Sequence, residues 1–378
     1  MASPKITVIG AGSFGNHAAN LLTKTYPEYQ VTLLADRDFA YNLPATHRLV
    51  VGGFSSKDIT RPLSEIIAPK VNLIQIKEVI DFDTKECKII TKAGQQETVP
   101  HDVLILATGS KWGNPIATQN FGASVDSMAK YIESEAAKLN AAKKVVIGGL
   151  GFVGLELAGE LGYKFKDQLS SGEKEVICIH SSPENVLDSS YLDSLRNSSR
   201  NYLQNMNIKL IFNEKADYDE KADSTIVKLS DSTIENVDLY YNCTGPIANL
   251  PATTLSGLET NGRGFVKVQK TLQTLNYPNI FAIGDINDAP GKRIIYRDDH
   301  AQVLKQNVQS VISGNTSQLK EFVVKPLAVA ASIGPEVGVG QAPIPFFGAV
   351  KIPEFLIVRM KSTHLFNEKI EDIVGKVA

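Results

Sequence analysis

Two glycine-rich turns of the form GxGxxG are the strongest chemical signals in this chain. The first spans residues 10–15 (GAGSFG) and the second spans residues 149–154 (GLGFVG). Each turn follows an apolar run and opens a helical pattern, which is the context that a dinucleotide-binding turn requires. The first glycine permits the tight turn, the second lets the backbone approach a pyrophosphate, and the third allows close helix packing. The helix N-terminus then faces the phosphates with its positive dipole end.

One such turn is weak evidence, but two in the same setting predict two dinucleotide sites. The predicted contacts from the turns are Gly10, Gly12, Ser13, Phe14, Gly15, Gly149, Gly151, Phe152, Val153 and Gly154.

The residue that ends the second strand of each unit should contact a ribose. After the first turn the candidate is Asp36, and a solvated turn acid is the alternative. After the second turn the strand ends in His180 and Ser181, so the usual acid is missing and a 2′-phosphate would not be repelled. Both residues could donate to that phosphate, and a strand-end histidine near the surface is an equal alternative.

Three further strands end in turns of small residues. The turns are Ala107-Thr108-Gly109, Cys243-Thr244-Gly245 and Gly284-Asp285. A carboxylate beside a helix start can accept a sugar or ribitol hydroxyl while neighbouring N–H groups meet phosphate. We therefore expect Asp285 to contact a cofactor, with an ordinary turn aspartate as the alternative.

Strand and helix patterns alternate from the first residues, which predicts an α/β fold. A strand–helix–strand unit at residues 6–34 recurs at residues 145–179. We predict a discontinuous first dinucleotide domain (1–112 and 246–318), a second dinucleotide domain (113–245) and a small C-terminal α+β unit (319–378). The last unit is set apart by prolines among short apolar runs.

Composition excludes several classes of function. The 378 residues carry a formal net charge of -2 without a basic block, so no nucleic-acid partner is expected. Three distant cysteines argue against a disulfide framework or a cysteine metal site, no metal is expected, and a reducing compartment fits. The sequence contains no run of about 18 apolar residues, so no membrane-spanning helix is expected. We expect neither a presequence nor N-myristoylation, because the first strand begins at Lys5 and the second residue is Ala2 in place of glycine.

Taken together, these motifs resemble the superfamily of flavoproteins with two Rossmann-like dinucleotide-binding domains, which share a glutathione-reductase-like fold. Residues 332–341 (SIGPEVGVGQ), 359–362 (RMKS) and 365–366 (LF) are similar to the C-terminal region of AIF-like proteins, the group that includes ferroptosis suppressor proteins. Residues 107–112 (ATGSKW) and 41–44 (YNLP) look like the fungal apoptosis-inducing-factor branch. The group is related to type II NADH dehydrogenases.

The resemblance implies bound FAD, oxidation of NADH or NADPH, and reduction of a quinone-like acceptor. Asp36 and the first turn would hold the ADP half of FAD, Gly109 would lie near the FAD, and Asp285 would bind the ribitol. Glu156 would sit at the nicotinamide nucleotide, and Glu160, one helical turn further on, would approach the nicotinamide and the flavin. Further cofactor or catalytic candidates are Arg48, Ala107, Thr108, Lys111, Gly245, Gly284, His300, Ala301 and Gln302.

The chain departs from the family pattern at two points. Family members place the acid directly after the second strand, whereas Ala35 intervenes here and shifts Asp36. The missing myristoylation glycine puts membrane attachment in doubt. The stretch 344–358 could contact a membrane peripherally or pack as a C-terminal core. We expect a cytoplasmic protein, monomer or homodimer, that could work at a mitochondrial or lipid-droplet surface.

Three other functions go with the same fold or the same family resemblance. A disulfide reductase needs a cysteine pair beside the flavin, and residues 41–51 contain no cysteine. A reductase of an iron-sulfur protein remains an alternative, because such enzymes can lack the pair. A redox-sensing pro-apoptotic signalling protein is a second alternative, and it would bind both cofactors without turning over an acceptor.

Overall fold

Two β-sheets, one mixed and one entirely parallel, form the body of the molecule together with the helices that pack on them. The computed structural model describes residues 3–219, 225–291, 293–326 and 328–377. The strands are β1 (Lys5–Ile9), β2 (Gln30–Ala35), β3 (Phe39–Tyr41), β4 (Thr60–Pro62), β5 (Asn72–Phe82), β6 (Glu86–Thr91), β7 (Gln96–Pro100), β8 (Val103–Leu106), β9 (Ser110–Lys111), β10 (Lys144–Gly148), β11 (Glu175–His180), β12 (Lys209–Phe212), β13 (Val227–Lys228), β14 (Thr233–Ile234), β15 (Leu239–Asn242), β16 (Ile247–Ala248), β17 (Ile280–Ala282), β18 (Val329–Ser332), β19 (Gly338–Ile344) and β20 (Gly348–Lys351). The α-helices are α1 (Ser13–Thr25), α2 (Thr46–Leu49), α3 (Leu63–Ile66), α4 (Val125–Ala141), α5 (Phe152–Lys164), α6 (Lys166–Ser171), α7 (Asp193–Asn205), α8 (Arg297–Ile312), α9 (Glu354–Ile357) and α10 (Ile370–Ile373).

The first sheet has the order β17-β8-β1-β2-β5-β6-β7. Strands β17, β8, β1, β2 and β5 are parallel, and β5, β6 and β7 continue the sheet as an antiparallel meander. Strand β8 is buried along its whole length, as expected for a parallel strand covered on both faces. Helices α1 and α8 share one hydrophobic core with the face of this sheet that includes Val8 and Ile105.

The second sheet is smaller and entirely parallel, with the order β12-β11-β10-β15. Its core is built from valine, isoleucine and leucine side chains of β10, β11 and α5. Strand β10 reads KVVIG, a run of β-branched residues that favours a fully buried strand. Helix α5 (Phe152–Lys164) starts within the second glycine turn, as the strand–helix–strand pattern at residues 145–179 predicts. The predicted α/β fold with two dinucleotide-binding architectures is confirmed.

The C-terminal unit contains a three-stranded antiparallel sheet, β18-β19-β20, followed by short helices. Its backbone packs tightly on α5, since a Cβ on Gly159 would lie 2.5 Å from Cα of Ile333. A π-helical turn at Val358–Ser362 extends α9 and returns the chain toward α2. This unit therefore meets the helices that carry the predicted site residues.

The chain passes between the two sheets through a short antiparallel ribbon formed by β9 and β16. Lys111 pairs with Ile247 and Ser110 pairs with Ala248, so the outgoing and returning segments lie side by side. The first sheet takes strands from residues 5–106 and 280–282, and the second takes strands from residues 144–242. The proposed limits of the three domains remain predictions.

Candidate active site

The first glycine turn has the geometry of a phosphate cradle. Gly10 has a φ of 108°, and a Cβ there would lie 2.5 Å from the carbonyl oxygen of Ala107. A Cβ on Gly15 would lie 1.9 Å from the carbonyl oxygen of Gly10, so α1 can pack here only without a side chain. Gly12, at the N-cap of α1, faces open space. The backbone is thus accessible at the point where a pyrophosphate must approach.

The second glycine turn repeats this geometry. Gly149 has a φ of 99°, and a Cβ there would lie 2.7 Å from the carbonyl oxygen of Cys243. A Cβ on Gly154 would lie 1.9 Å from the carbonyl oxygen of Gly149, and Gly151 faces open space. The turns after β8 and β15 therefore support the two glycine turns in the same way. Ser13 and Phe14 begin α1 as Phe152 and Val153 begin α5.

The strand ends beside the two turns are in matching register. Gly10 N–H donates to Leu34 and Gly149 N–H donates to Ile179, each at 3.0 Å or less. His180 therefore stands where Ala35 stands in the first unit, and Ser181 corresponds to Asp36. The Asp36 carboxylate is half exposed and pairs with Arg37 at 3.2 Å. The ribose roles of Asp36 and His180 remain predictions.

The His180 ring lies over the second glycine turn. Its Nδ1 accepts the backbone N–H of Leu150 at 3.2 Å, which places the ring proton on Nε2. Burial is the main cause that lowers the pKa of His180, so the ring is neutral at pH 7. Ser181 is exposed beside it. Nε2 lies 3.5 Å from the carbonyl oxygen of Leu187, so the ring proton already has an acceptor, and a neutral ring rather than an acid ends this strand.

Polar side chains lie around Asp285, the predicted ribitol contact. The Ser110 hydroxyl donates to Asp285 at 3.3 Å, and Thr118 donates to the Ser110 carbonyl at 3.4 Å. The buried Thr108 hydroxyl has no hydrogen-bond partner in the described part of the chain. Of the other predicted contacts here, Ala107 is buried, Gly109, Gly245 and Gly284 have positive φ, and Lys111 is exposed.

His300 lies in an aromatic cluster. Its ring contacts Phe14 and Phe322, with centroids 5.4 and 4.4 Å away, and its Nδ1 accepts the N–H of Gly284. Burial lowers the pKa of His300 to about 4, so the ring is neutral. Ala301 is buried and Gln302 is exposed. His300 thus supports the turn that carries Asp285, and the predicted approach of His300 and Gln302 to a flavin remains untested.

A cluster of buried charges lies where the two sheets and the C-terminal unit meet. Glu156 and Glu160 project from one face of α5, and both are almost fully buried. Arg48 of α2 binds one oxygen of Glu160 through Nε at 2.9 Å and through Nη2 at 2.5 Å. Lys361 of the π turn binds Glu156 at 2.5 Å. We call these four residues, together with His47, the junction cluster.

His47 completes the junction cluster. Its Nδ1 lies 3.9 Å from Glu156 and its Nε2 lies 4.0 Å from Glu160. Burial, which outweighs the attraction of the two carboxylates, lowers the pKa of His47. Sequence reasoning missed both His47 and Lys361. His47 directly precedes Arg48, and Lys361 falls within the RMKS segment, but neither position indicates a partner on α5.

An open groove of about 920 Å³ runs along the C-terminal unit. Its walls combine the apolar Phe355 and Val358 with charged residues that include Arg359 and Glu336. Thr363 lines the groove, and its carbonyl oxygen accepts Arg48 Nη1 at 2.9 Å. The groove is therefore separated from the junction cluster by one residue of backbone.

Comparison with known proteins places the chain in a family. A family model described as pyridine nucleotide-disulphide oxidoreductase matches residues 4–311. The chain belongs to the pyridine nucleotide-disulphide oxidoreductase family. Family membership makes it a flavin-dependent oxidoreductase and implies that it binds FAD and NAD(P)H.

Individual relatives narrow the placement of this oxidoreductase. It is 34% identical to "Apoptosis-inducing factor 1" of Saccharomyces cerevisiae over 386 residues, covering 98% of each chain. It is 27% identical to "Ferroptosis suppressor protein 1" of Taeniopygia guttata, covering 99% of this chain and 96% of the relative. The sulfide:quinone oxidoreductase of Aquifex aeolicus has the same fold, with a TM-score of 0.75, 20% identity, and 100% and 93% coverage. The predicted relationship to AIF-like flavoproteins is confirmed.

The cysteines of this oxidoreductase are unsuited to thiol chemistry. Cys87, Cys178 and Cys243 are free and buried. Burial raises the pKa of Cys87 and Cys243 to about 12 and also raises that of Cys178, which suppresses the reactive thiolate. Within the described ranges no group of His, Cys, Asp or Glu is placed to hold a metal ion. No helix in the same residues is long and apolar enough to cross a membrane.

The first site fits FAD on its own geometry. The open backbone at Gly12 admits a pyrophosphate, and the unpartnered Thr108 hydroxyl offers a hydrogen bond in the adjoining turn. Gly151 leaves the backbone equally open at the start of α5. The carboxylates of the junction cluster follow the second glycine turn along α5, and Glu160 faces Arg48 of α2.

Proposed function

We propose that this chain transfers hydride from NADH or NADPH to FAD and passes the electrons to a quinone-like acceptor. The observation that carries the proposal is the junction cluster, in which the FAD-side helix α2 and the C-terminal unit both bind the nucleotide-side helix α5 through buried ion pairs. Such a cluster fixes the relative position of two dinucleotide sites, and hydride transfer requires that position to be held closely.

FAD is assigned to the first glycine turn, with Asp285 toward the ribitol and with Gly12 and Ser13 at the pyrophosphate. When bound, FAD supplies the redox chemistry by taking up a hydride and releasing two electrons. The protein positions the cofactor and sets the electrostatic field around it. The neutral His300 ring keeps positive charge away from the turn at Gly284, and α1 directs its N-terminal dipole toward the phosphates.

The nicotinamide nucleotide is assigned to the second glycine turn. Gly151 leaves room for its pyrophosphate, and Glu156 lies one helical turn into α5. His180 and Ser181 place no negative charge at the adenosine ribose, so either NADH or NADPH is accommodated. Lys361 and the Ser332 N–H, 3.3 Å from Glu156, hold the carboxylate in one orientation.

The acceptor is assigned to the groove of the C-terminal unit. Phe355 and Val358 provide the apolar wall that a quinone ring requires, and Thr363 brings the groove to within one residue of Arg48. Burial keeps His47 neutral between the two carboxylates of the junction cluster. A neutral ring there adds no charge to the junction cluster, in which Arg48 and Lys361 already pair with the two carboxylates.

Peripheral membrane contact is assigned to the hairpin between β19 and β20 and to α9. Phe346, Phe347 and Phe355 expose most of their side chains, and Lys351 and Arg359 flank them. Aromatic side chains beside cations match the border between acyl chains and anionic headgroups. The protein would then work as a monomer or homodimer at a mitochondrial or lipid-droplet surface.

Flavin spectroscopy tests this function directly. The purified protein should show a yellow flavin spectrum that bleaches with NADH or NADPH and recovers when a short-chain ubiquinone is added. Gly151→Val should keep the flavin but prevent bleaching, because the new side chain occupies the nucleotide approach. Bleaching without recovery on quinone would favour a protein acceptor or a redox sensor. Absence of flavin after FAD addition would overturn the proposal.

A further inference from the structure

A segment near the C-terminus crosses the start of the FAD-side helix α1. We call residues 370–376 the C-terminal strap. Ile370 and Val374 are buried in the core that α1 and α8 share with the first sheet. Gly375 has a φ of 94°, and a Cβ there would lie 2.6 Å from the carbonyl oxygen of Ser13. The strap is thus seated against α1 at backbone distance.

Side chains along one face of α1 bind successive carbonyl groups of the strap. Ser13 donates to the carbonyl of Ile373, Asn16 donates to that of Val374 at 2.9 Å, and Asn20 donates to that of Gly375 at 3.0 Å. Residues three and four apart share a helix face, so these three donors form a ladder along the carbonyl groups at the C-terminal end of the short helix α10. Asn16 and Asn20 are buried, which makes each bond costly to lose.

Helix α8 secures the start of the strap. Arg297 donates to the carbonyl oxygen of Asp372 and pairs with its carboxylate at 2.8 Å. The guanidinium is buried, whereas the Asp372 carboxylate is largely exposed. Four side chains of the FAD-side unit therefore bind four consecutive backbone carbonyls, at residues 372–375.

Asn16 connects the strap to the phosphate turn. Its amide Nδ2 donates to the carbonyl of Val374 and also, at 3.0 Å, to the carbonyl of Ala11, between Gly10 and Gly12. One buried amide group thus orients both the strap and the central peptide of the turn. Displacement of the strap removes one of the two contacts that hold this amide.

The second dinucleotide unit lacks this ladder. Leu155 and Gly159 occupy the positions of α5 that correspond to Asn16 and Asn20 of α1. At Gly159 the covering segment is Ile333 and Gly334, and it approaches through backbone contact without side-chain donors from that position. The carbonyl ladder is therefore a feature of the FAD-side turn and is not a general property of the fold.

We infer that the C-terminal strap positions the FAD phosphate turn through Asn16, and that its seating on α1 sets the affinity for FAD. The inference rests on the proposed assignment of FAD to the first glycine turn. Asn16 is a positioning residue, because its amide orients the Ala11 peptide and makes no assigned contact with the cofactor. FAD retention is thereby coupled to a segment more than 350 residues away in the sequence.

FAD dissociation constants of full-length variants test the inference. Gly375→Val should unseat the strap, because the new Cβ meets the Ser13 carbonyl, and Asn16→Leu places the residue of the second unit in the first. Each should raise the dissociation constant for FAD at least fivefold. The double variant should bind FAD no more weakly than the single variant with the lower affinity, because both changes act through the side-chain amide of Asn16. Gly314→Val is the matched control, since it strains a positive φ without touching the strap.

Hydrogen exchange of the apoprotein gives a second readout without FAD. Amides of residues 10–16 should exchange faster in Gly375→Val and at the wild-type rate in Gly314→Val. If Gly375→Val does not fold, Asp372→Ala carries the test, because its carboxylate is exposed. Wild-type FAD affinity in a folded strap variant would overturn the inference. Failure of the wild-type protein itself to bind FAD would instead overturn the proposed function.

Discussion

Loss of the Arg48 guanidinium should destabilise the folded protein severely. Glu160 is 2% exposed and receives two hydrogen bonds from Arg48 on a single oxygen. Its remaining polar neighbours are more distant, with Ser332 Oγ at 3.5 Å and His47 Nε2 at 4.0 Å. Arg48→Met would therefore leave a buried carboxylate without a cation. Removing one partner of a buried pair costs about 3–5 kcal/mol.

This cost corresponds to a roughly 10²- to 10⁴-fold increase in the unfolding constant. Urea unfolding of the FAD-saturated protein, followed by circular dichroism, measures it as a lower midpoint at unchanged slope. Lys267→Met is the matched control, because both side chains of the Lys267–Glu259 pair are roughly half exposed. Its loss should cost about 1 kcal/mol or less.

A double variant separates loss of the ion pair from loss of packing. Arg48→Met with Glu160→Leu removes both charges and should regain most of the stability, because an apolar replacement of a buried pair is often near neutral. Two outcomes would refute the reasoning: a single-variant effect below about 1 kcal/mol, or a double variant as unstable as the sum of the two single variants.

Other changes give sharper readouts of the cofactor sites. Gly12→Val should fold normally yet lose FAD. Gly15→Val should also destabilise the apoprotein, because a side chain at Gly15, unlike one at Gly12, meets the Gly10 carbonyl. Equal melting temperatures of the two apoprotein variants would contradict this. His180→Asp should lower the rate of flavin reduction by NADPH at least tenfold relative to NADH, by repelling the 2′-phosphate; an unchanged ratio in stopped-flow would count against the ribose assignment. The His300 pKa is lowered to about 4 from 6.5, so the unfolded chain protonates first and stability falls between these pH values by up to about 3 kcal/mol. His300→Asn should lose less stability than wild type between pH 7 and 4.5 in urea titrations, and equal losses would exclude His300 as the source. Phe346→Ser with Phe347→Ser should weaken flotation with anionic vesicles at least tenfold, since burying each phenylalanine contributes about 1.5–3 kcal/mol; unchanged flotation would reject the membrane assignment.

Local signals made much of the fold predictable from the sequence. The bounds of α5 follow from the glycine turn that starts it and from a continuous apolar pattern, and β8 and β15 were recognisable as apolar runs before small-residue turns. The antiparallel β5–β7 meander was missed, because charged residues alternate there without a glycine turn to mark a nucleotide site.

The candidate site was predictable only in part. Glu156 and Glu160 share a helix face by their spacing, so their proximity followed from the sequence. Their cationic partners, Arg48 of α2 and Lys361 of the π turn, lie 112 and 205 residues away in the sequence. No periodicity in the sequence pairs residues at such separations. The strap was likewise unpredictable, because the donors on α1 recognise backbone carbonyls, which every residue carries whatever its side chain.

The β9–β16 ribbon has a consequence for how such a molecule can be assembled genetically. All four strands of the second sheet lie in the chain between two residues, Lys111 and Ile247, that are directly paired across the ribbon. The two ends of this part of the chain therefore emerge side by side, and a gene segment encoding it could be exchanged for another of the same architecture without altering the first sheet. A module with this connectivity can diverge in nucleotide preference while the flavin-side unit keeps its own sequence constraints.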